Sequence, residues 1–237
     1  MTQQTRRASK RTPLKSKRTS RSAPQTKSEA TRAHLYETAL ALFQKKGVDG
    51  TTMRDIAKAA GMSLGAAYYY FPSKEALVFA YYEENQAVVE RLEVSGSLRE
   101  QLGALMHAKL KSIRDQRHML GTILPRLMNP GDELSAFSER TRAVRARAIG
   151  LFARPLREAG LSEDVVRIAA QALWMFQLAA MLVYLNDTSA HQKRTHGLVD
   201  DALDMIVPML PMLGTPIGKN IIERVTGALA RAGIAVL

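Results

Sequence analysis

The chain has 237 residues, room for one large domain or two modest ones, and 46% of them are hydrophobic, enough for a packed core. It contains no cysteine, which excludes a disulfide frame, a thiolate metal site and a cysteine nucleophile, and fits a reducing, cytoplasmic setting. The net charge of +12 is unevenly placed. Residues 1–27 hold nine Lys or Arg and no Asp or Glu, whereas residues 28–90 hold six basic against eight acidic side chains. No apolar run approaches the ~20 residues of a membrane span, so no membrane is expected as a partner. The basic N-terminus lacks the apolar stretch of about 7–15 residues that marks a secretory signal.

In chain order, residues 1–27 are Ser, Thr, Lys and Arg with hardly an apolar side chain. Such a composition does not offset the entropy of ordering and reads as a disordered tail. It is either a solvated solubility segment or a flexible arm for DNA phosphates, and the neighbouring segments favour the arm. Thr26 with Glu29 has the spacing of a capping box for a helix to about Lys46, with Leu35, Ala39, Leu40, Leu42 and Phe43 as its apolar stripe and Gly47 as its end.

Residues 51–75 are the densest local signal. Thr52 caps a helix whose first turn carries Asp55, and Met53, Ile56, Ala57 and Ala60 share one face. Gly61 supplies the left-handed residue of a tight turn. Ser63 caps a second helix to Phe71, Pro72 stops it, and Ser73 caps a third. Two short helices joined by a glycine turn form the helix-turn-helix arrangement, which lays its second helix in the DNA major groove. The third helix, with Leu77, Ala80, Tyr81, Val88 and Leu92 expected inward, runs to a break at Gly96. Beyond it, helices are expected at 97–115, 118–128, 133–158, 162–186, 192–213 and 216–232. Asn129-Pro130-Gly131 is a break, Pro125, Pro208 and Pro211 kink or end helices, and Ile217, Ile221, Val225, Ala228, Leu229 and Ala232 give the last helix an apolar face. No strand pattern or repeat stands out, so the fold class is all-α.

The block TTMRDIAKAAGMSLGAAYYYFPSKEAL resembles the N-terminal domain of TetR-type transcriptional repressors. It carries Thr52, Ile56, Ala57, Ala60, Gly61, Met62 and Ser63, then Tyr68, Tyr70 and Phe71, then Ser73, Lys74, Glu75 and Leu77 of that family's pattern. The resemblance covers about residues 28–90 and divides the chain into a tail (1–27), a DNA-binding head (28–90) and a helical regulatory and dimerisation domain (91–237). It implies a homodimer on a pseudo-palindromic double-stranded operator, released by a small-molecule effector. It places Thr52, Tyr70 and Lys74 on phosphates and Arg54, Leu64, Gly65, Ala66, Tyr68 and Tyr69 toward the groove, with Gly61 and Ser63 shaping the turn. Tyr68 fits a phosphate equally well, and Ala67 and Phe71 read as core. The family often carries Lys or Thr where this chain has Leu64 and Ala66. The dimer seam falls, by the same analogy, on helices 162–186 and 192–213.

Helix 162–186 places Trp174, Gln177, Met181 and Tyr184 along one side. This stripe is core, dimer seam, or a pocket wall with two polar handles, faced by Met119, Leu124 and Met128; adaptable Met and a lone Trp suit an apolar effector. Arg140, Arg142, Arg145, Arg147, Arg154 and Arg157 crowd one helix, as a solvated face or, less simply, as an anion contact. The histidines, including His107 and His196, lack zinc-ligand spacing, so no metal and no cofactor is expected. The sequence carries no phosphate-loop, nucleophile-elbow or zinc-protease motif, so an enzyme is the least expected class. Two other classes stay open: a ligand-independent or architectural DNA-binding protein, and a helical interaction protein whose head no longer reads DNA.

The tail makes a measurable claim. Each phosphate that it neutralises adds roughly 0.9 to the slope of log affinity against log salt. Deleting residues 1–27 should weaken binding to operator and random DNA alike and flatten the salt dependence. Equal slopes for the full-length and shortened proteins would leave the tail as a solubility segment.

Overall fold

The structure, a computed structural model, describes residues 26–129 and 131–231. The tail reading falls almost wholly on residues outside this range. The elements are α1 (Lys27–Lys46), α2 (Met53–Ala59), α3 (Leu64–Tyr70), α4 (Lys74–Glu90), α5 (Leu98–Ser112), α6 (Arg117–Met128), α7 (Arg142–Glu158), α8 (Glu163–Asn186), α9 (Lys193–Ile206) and α10 (Pro216–Arg231). Among the described residues there is no strand, and the fold is all-α.

Each helix of the head starts where its side chains satisfy the free N–H groups. Thr26 and Glu29 close one capping box and Thr52 and Asp55 a second. Ser63 Oγ accepts from Ala66 N at 3.1 Å, and Ser73 Oγ from Ala76 N at 3.1 Å. A cap of this kind contributes about 1 kcal/mol. Gly61, at φ 65°, turns the chain between α2 and α3 in a conformation that costs other residues. The head closes on Leu35, Phe43, Val48, Ile56, Ala67 and Leu77, each fully buried. A large apolar side chain buried this way contributes about 1.5–3 kcal/mol.

In the body, α8 lies against α5, α6, α7, α9 and α10. By length and composition alone it could cross a membrane, which corrects the reading that no run is apolar enough. Half of its apolar window is buried in the body, as expected of a core helix.

Four local expectations change. Helix α4 ends at Glu90, before Gly96, and Val88 and Leu92 face solvent, while Asn85, Gln86 and Val89 point inward. Residues 133–141 are not helical. There Thr141 Oγ1 donates to Ser135 O at 2.8 Å and Ser138 Oγ to Glu133 O at 2.9 Å, so hydroxyls take carbonyls that a helix would have used. Pro208 ends regular α-helix after α9, and Val207–Gly214 continue as a 3-10 helix. The apolar face of α10 looks outward: Ile217, Ile221 and Val225 are exposed, and Ile222 is its buried apolar anchor.

The bend between α8 and α9 hangs on one carboxylate. Asp187 accepts from Ser189 N (2.9 Å), Ser189 Oγ (2.7 Å), Thr195 N (2.9 Å) and Thr195 Oγ1 (2.8 Å). The bend also holds His191 and Gln192 at positive φ. The Ser189 hydroxyl, then the backbone donors, hold the Asp187 carboxyl well below the usual carboxylate range. A depressed folded pKa gives stability that is complete above the unfolded value of about 4 and is lost as pH falls through the folded one. Asp187→Asn should lower the thermal midpoint by several degrees near neutral pH, and the gap should hold down to about pH 4 and shrink below it. A gap that stays constant with pH would assign the loss to shape rather than charge.

Candidate DNA interface and ligand cavity

Helix α3 carries no charged side chain. Tyr69 is its most exposed residue at 81%, and Tyr68 is 48% exposed. Arg54, on the exposed side of α2, is free to reach the same surface, whereas Ala67 and Phe71 are buried as core. Tyr70 is half-buried and meets Tyr69 edge to face, with ring centres 5.1 Å apart. Leu64 and Ala66 are half-buried and Gly65 exposed. A Cβ placed on Gly65 would meet nothing within 4 Å, so no neighbour within the chain requires its missing side chain. What the glycine offers is a close approach from outside.

Thr52 is exposed, and its hydroxyl donates to Asp55 at 2.6 Å. Lys74 is half-buried, and its ammonium donates to Val48 O at 3.0 Å and lies 3.5 Å from Asp49. It braces the loop after α1, and its third N–H direction stays available.

Below the head, α4 changes partners. Its first residue, Lys74, bonds the head at Val48 O, Leu77 and Val78 are fully buried, and its later turns bring Tyr81, Tyr82, Asn85 and Gln86 to the wall of a cavity of about 310 Å³. That size lies at the low end of small-molecule sites, about 300–1,000 Å³. Four of the expected residues, Met128, Trp174, Gln177 and Met181, line it together with Leu124. Two do not. Met119 is fully buried on the side of α6 that faces α1, where its N–H donates to Gln44 Oε1 at 3.2 Å. Tyr184 is buried against Arg117 and His196, because α8 turns it away from the cavity. Helical spacing gives the correct stripe, but in its last turn Leu185 rather than Tyr184 lines the cavity.

The remaining lining could not be read from spacing. Phe137 reaches the cavity from the non-helical segment and meets Trp174 edge to face at 5.6 Å. The hydroxyls of Tyr81 and Tyr82 are buried without a hydrogen-bond partner. Burial pushes both phenols up, so both remain O–H donors. Lys109 lies in the last turn of α5, where carbonyls favour a cation. Burial nevertheless pushes its ammonium down to about 8, opposed by Glu90. Arg145 also lines the cavity and donates to Ala136 O (2.9 Å) and Ser138 O (3.1 Å). The other five arginines of that group carry ion pairs on the outside of the body, so the solvated-face reading holds for them and fails for Arg145.

The sequence also missed a contact between α5 and α9. His107 Nδ1 and His196 Nδ1 lie 2.8 Å apart, and His107 Nε2 lies 3.0 Å from Asp200. The short nitrogen–nitrogen distance requires one ring to be neutral, and burial, then His107, lowers the pKa of His196. Among the described residues no group of three or more His, Cys, Asp or Glu is arranged to hold a metal ion.

Head and body meet at Arg126 on α6. Its guanidinium bonds Asp132 at 2.8 Å, Glu75 at 3.1 Å and Asp49 at 3.4 Å. Asp49 and Glu75 belong to the head, while Leu124, Leu127 and Met128 beside Arg126 line the cavity.

Comparison with known proteins agrees with this geometry. The family described as "Bacterial regulatory proteins, tetR family" matches residues 35–81. The HTH-type transcriptional regulator AcrR of Shigella flexneri is 40% identical over 74 residues, 30% of this chain and 34% of that protein. The HTH-type transcriptional repressor KstR2 of Rhodococcus jostii is 47% identical over 47 residues, 20% of this chain and 23% of that one. The chain thus aligns with between 23% and 34% of the length of these curated relatives. The solved structure of Salmonella enterica GusR covers 75% of this chain and 95% of its own, at 25% identity and a TM-score of 0.57. Residues 35–81 thus carry the DNA-binding head of the tetR family of regulators, and the helical body that follows shares its fold with solved regulators.

Proposed function

We propose that this chain is a homodimeric transcriptional repressor that occupies a pseudo-palindromic operator and is released by a small molecule in the body cavity. One observation carries the reading: α4 is at once bonded to the head through Lys74 and a wall of the cavity. A ligand that alters the tilt of α4 alters the placement of α3. Two copies of α3 would read successive major grooves, about 34–36 Å apart, so a small change of tilt in each protomer is enough to lose register. The ligand must bind the released conformer better than the DNA-bound one.

The homodimer is supported by an apolar strip on one chain. Val183, Leu198, Met205, Met209 and Met212 are exposed along α8, α9 and the 3-10 segment, and Ile217, Ile221 and Val225 extend it onto α10. Exposed apolar area of this kind marks an association surface. The seam expected on α8 and α9 therefore extends to α10.

On the DNA side, Tyr69, Tyr68 and Arg54 take base edges, Leu64 and Ala66 offer methyl contacts to thymine, and Gly65 admits the duplex backbone. Thr52, Tyr70 and Lys74 meet phosphates. Tyr69→Ala and Arg54→Ala should lose discrimination among operator variants, by about 1–3 kcal/mol at one position, more than general affinity. Lys74→Ala should weaken every sequence alike and lower the salt slope by about one unit. Competition binding on operator variants distinguishes the two. A uniform loss for Tyr69→Ala would move that side chain onto the phosphates or into the fold.

Genomic footprinting tests the function as a whole and should return a two-fold symmetric site. A compound that releases that site should change the fluorescence of Trp174, the single tryptophan, and Met181→Ala should alter its potency. Release with unchanged fluorescence and unchanged potency would place the effector elsewhere.

A further inference from the structure

The cavity is apolar in most of its wall, yet every ionisable side chain that lines it is a cation or a phenol: Lys109, Arg145, Tyr81 and Tyr82, with no Asp or Glu. The two cations differ. The Arg145 guanidinium is fixed through Nη1, which donates to Ala136 O, Ser138 O and Thr141 Oγ1 and ties it to the segment before α7. The Lys109 ammonium has one long hydrogen bond, 3.4 Å to Gln86 Oε1, and no carboxylate within ion-pair distance. The nearest acid, Glu90, accepts from Gln86 at 3.2 Å and is paired with Arg147 at 2.9 Å. Lys109 thus brings an under-compensated positive charge with unused donors to an apolar cavity.

We propose that the ligand of this cavity is an amphipathic carboxylic acid, its apolar body against Leu124, Met128, Trp174 and Met181 and its carboxylate on Lys109. This inference rests on the reading of the cavity as the effector site and narrows the chemical class of the effector from apolar molecules in general. The discrimination follows from desolvation. A neutral apolar molecule that fills the cavity removes water from Lys109 and returns no acceptor, leaving a buried ammonium unpaired. A carboxylate supplies a charge-assisted bond, roughly twice as strong as a neutral one. An organic cation meets two like charges and no acid.

The test uses the full-length protein and matched probes: octanoate and phenylbutyrate against octanol, phenylbutanol and octylamine. Binding is read by Trp174 fluorescence and by calorimetry. The acids should bind at least about tenfold more tightly than the alcohols, and the amine least. Lys109→Met should erase the preference for acid over alcohol, and Lys109→Arg, which keeps the charge, should retain it. Circular dichroism and thermal melts of both variants show whether the body remains folded. If the alcohols bind as tightly as the acids, or if folded Lys109→Met keeps the preference, the inference is overturned. If no probe of any class binds, the inference and the reading of the cavity as a ligand site are overturned together. If the acids bind with the expected preference but leave operator DNA bound, the inference stands and the effector role of the cavity falls.

Discussion

Much of this molecule depends on the ion cluster around Arg126. One guanidinium on α6 holds Asp132 from its own domain and Asp49 and Glu75 from the head. An isolated pair at a protein surface contributes about 0–1 kcal/mol, and several charges in a network with good geometry contribute more. The hydrogen bond to Asp132, the largest cause, and that to Glu75 raise the Arg126 pKa, so the charge is fixed at any physiological pH. The position matters more than the energy. The same helix places Leu124, Leu127 and Met128 on the cavity, so one wall of the cavity also grips the head. Met119 and Gln44 add a second tie between α6 and α1.

With α6 bonded to the head and α4 shared between head and cavity, the two domains cannot shift independently. Packed cores and bonded interfaces respond to a ligand by switching between discrete arrangements rather than by bending continuously. A cluster of short, part-buried ion pairs has that property, since its partners are either paired or separated. The coupling between cavity and α3 then has two physical carriers, one covalent through α4 and one electrostatic through Arg126. The free energy that each transmits is bounded by the difference in ligand affinity between the two arrangements.

Legibility in the sequence followed the range of the interactions. The caps at Thr26, Thr52, Ser63 and Ser73, the turn at Gly61 and the buried Ala67 and Phe71 are set by neighbours within a few residues, and the string of residues carries that information. The stripe Trp174, Gln177, Met181 was legible because helical periodicity fixes which side chains share a face. Periodicity does not say what that face meets. Tyr184 and Met119, expected at the cavity, therefore lie in the core around it, and the apolar face of α10, legible as a face, meets solvent. Residues 133–141 were read as helix because apolar spacing ignores the hydroxyls of Ser135, Ser138 and Thr141, which compete for the backbone. The pairing of His107 with His196 spans 89 residues and leaves no trace in local pattern.

Lys109 is the furthest case of this limit and the most informative. A lysine in a helix reads as a solvated side chain, and only the packing of α4, α5 and α8 around it shows otherwise. A buried ammonium with a single weak acceptor lowers stability, because the desolvation of the charge is not matched by a partner. Filling the cavity with apolar side chains would be the more stable solution for the empty protein. A ligand that supplies the missing charge recovers that cost only when it is bound, and so gains affinity for whichever arrangement encloses the ammonium. The local instability of the empty cavity and the free energy available for moving the head are then two aspects of one feature. Removing the charge should make the protein more robust and its ligand less effective, the trade-off expected where a site is held away from its stability optimum for the sake of function.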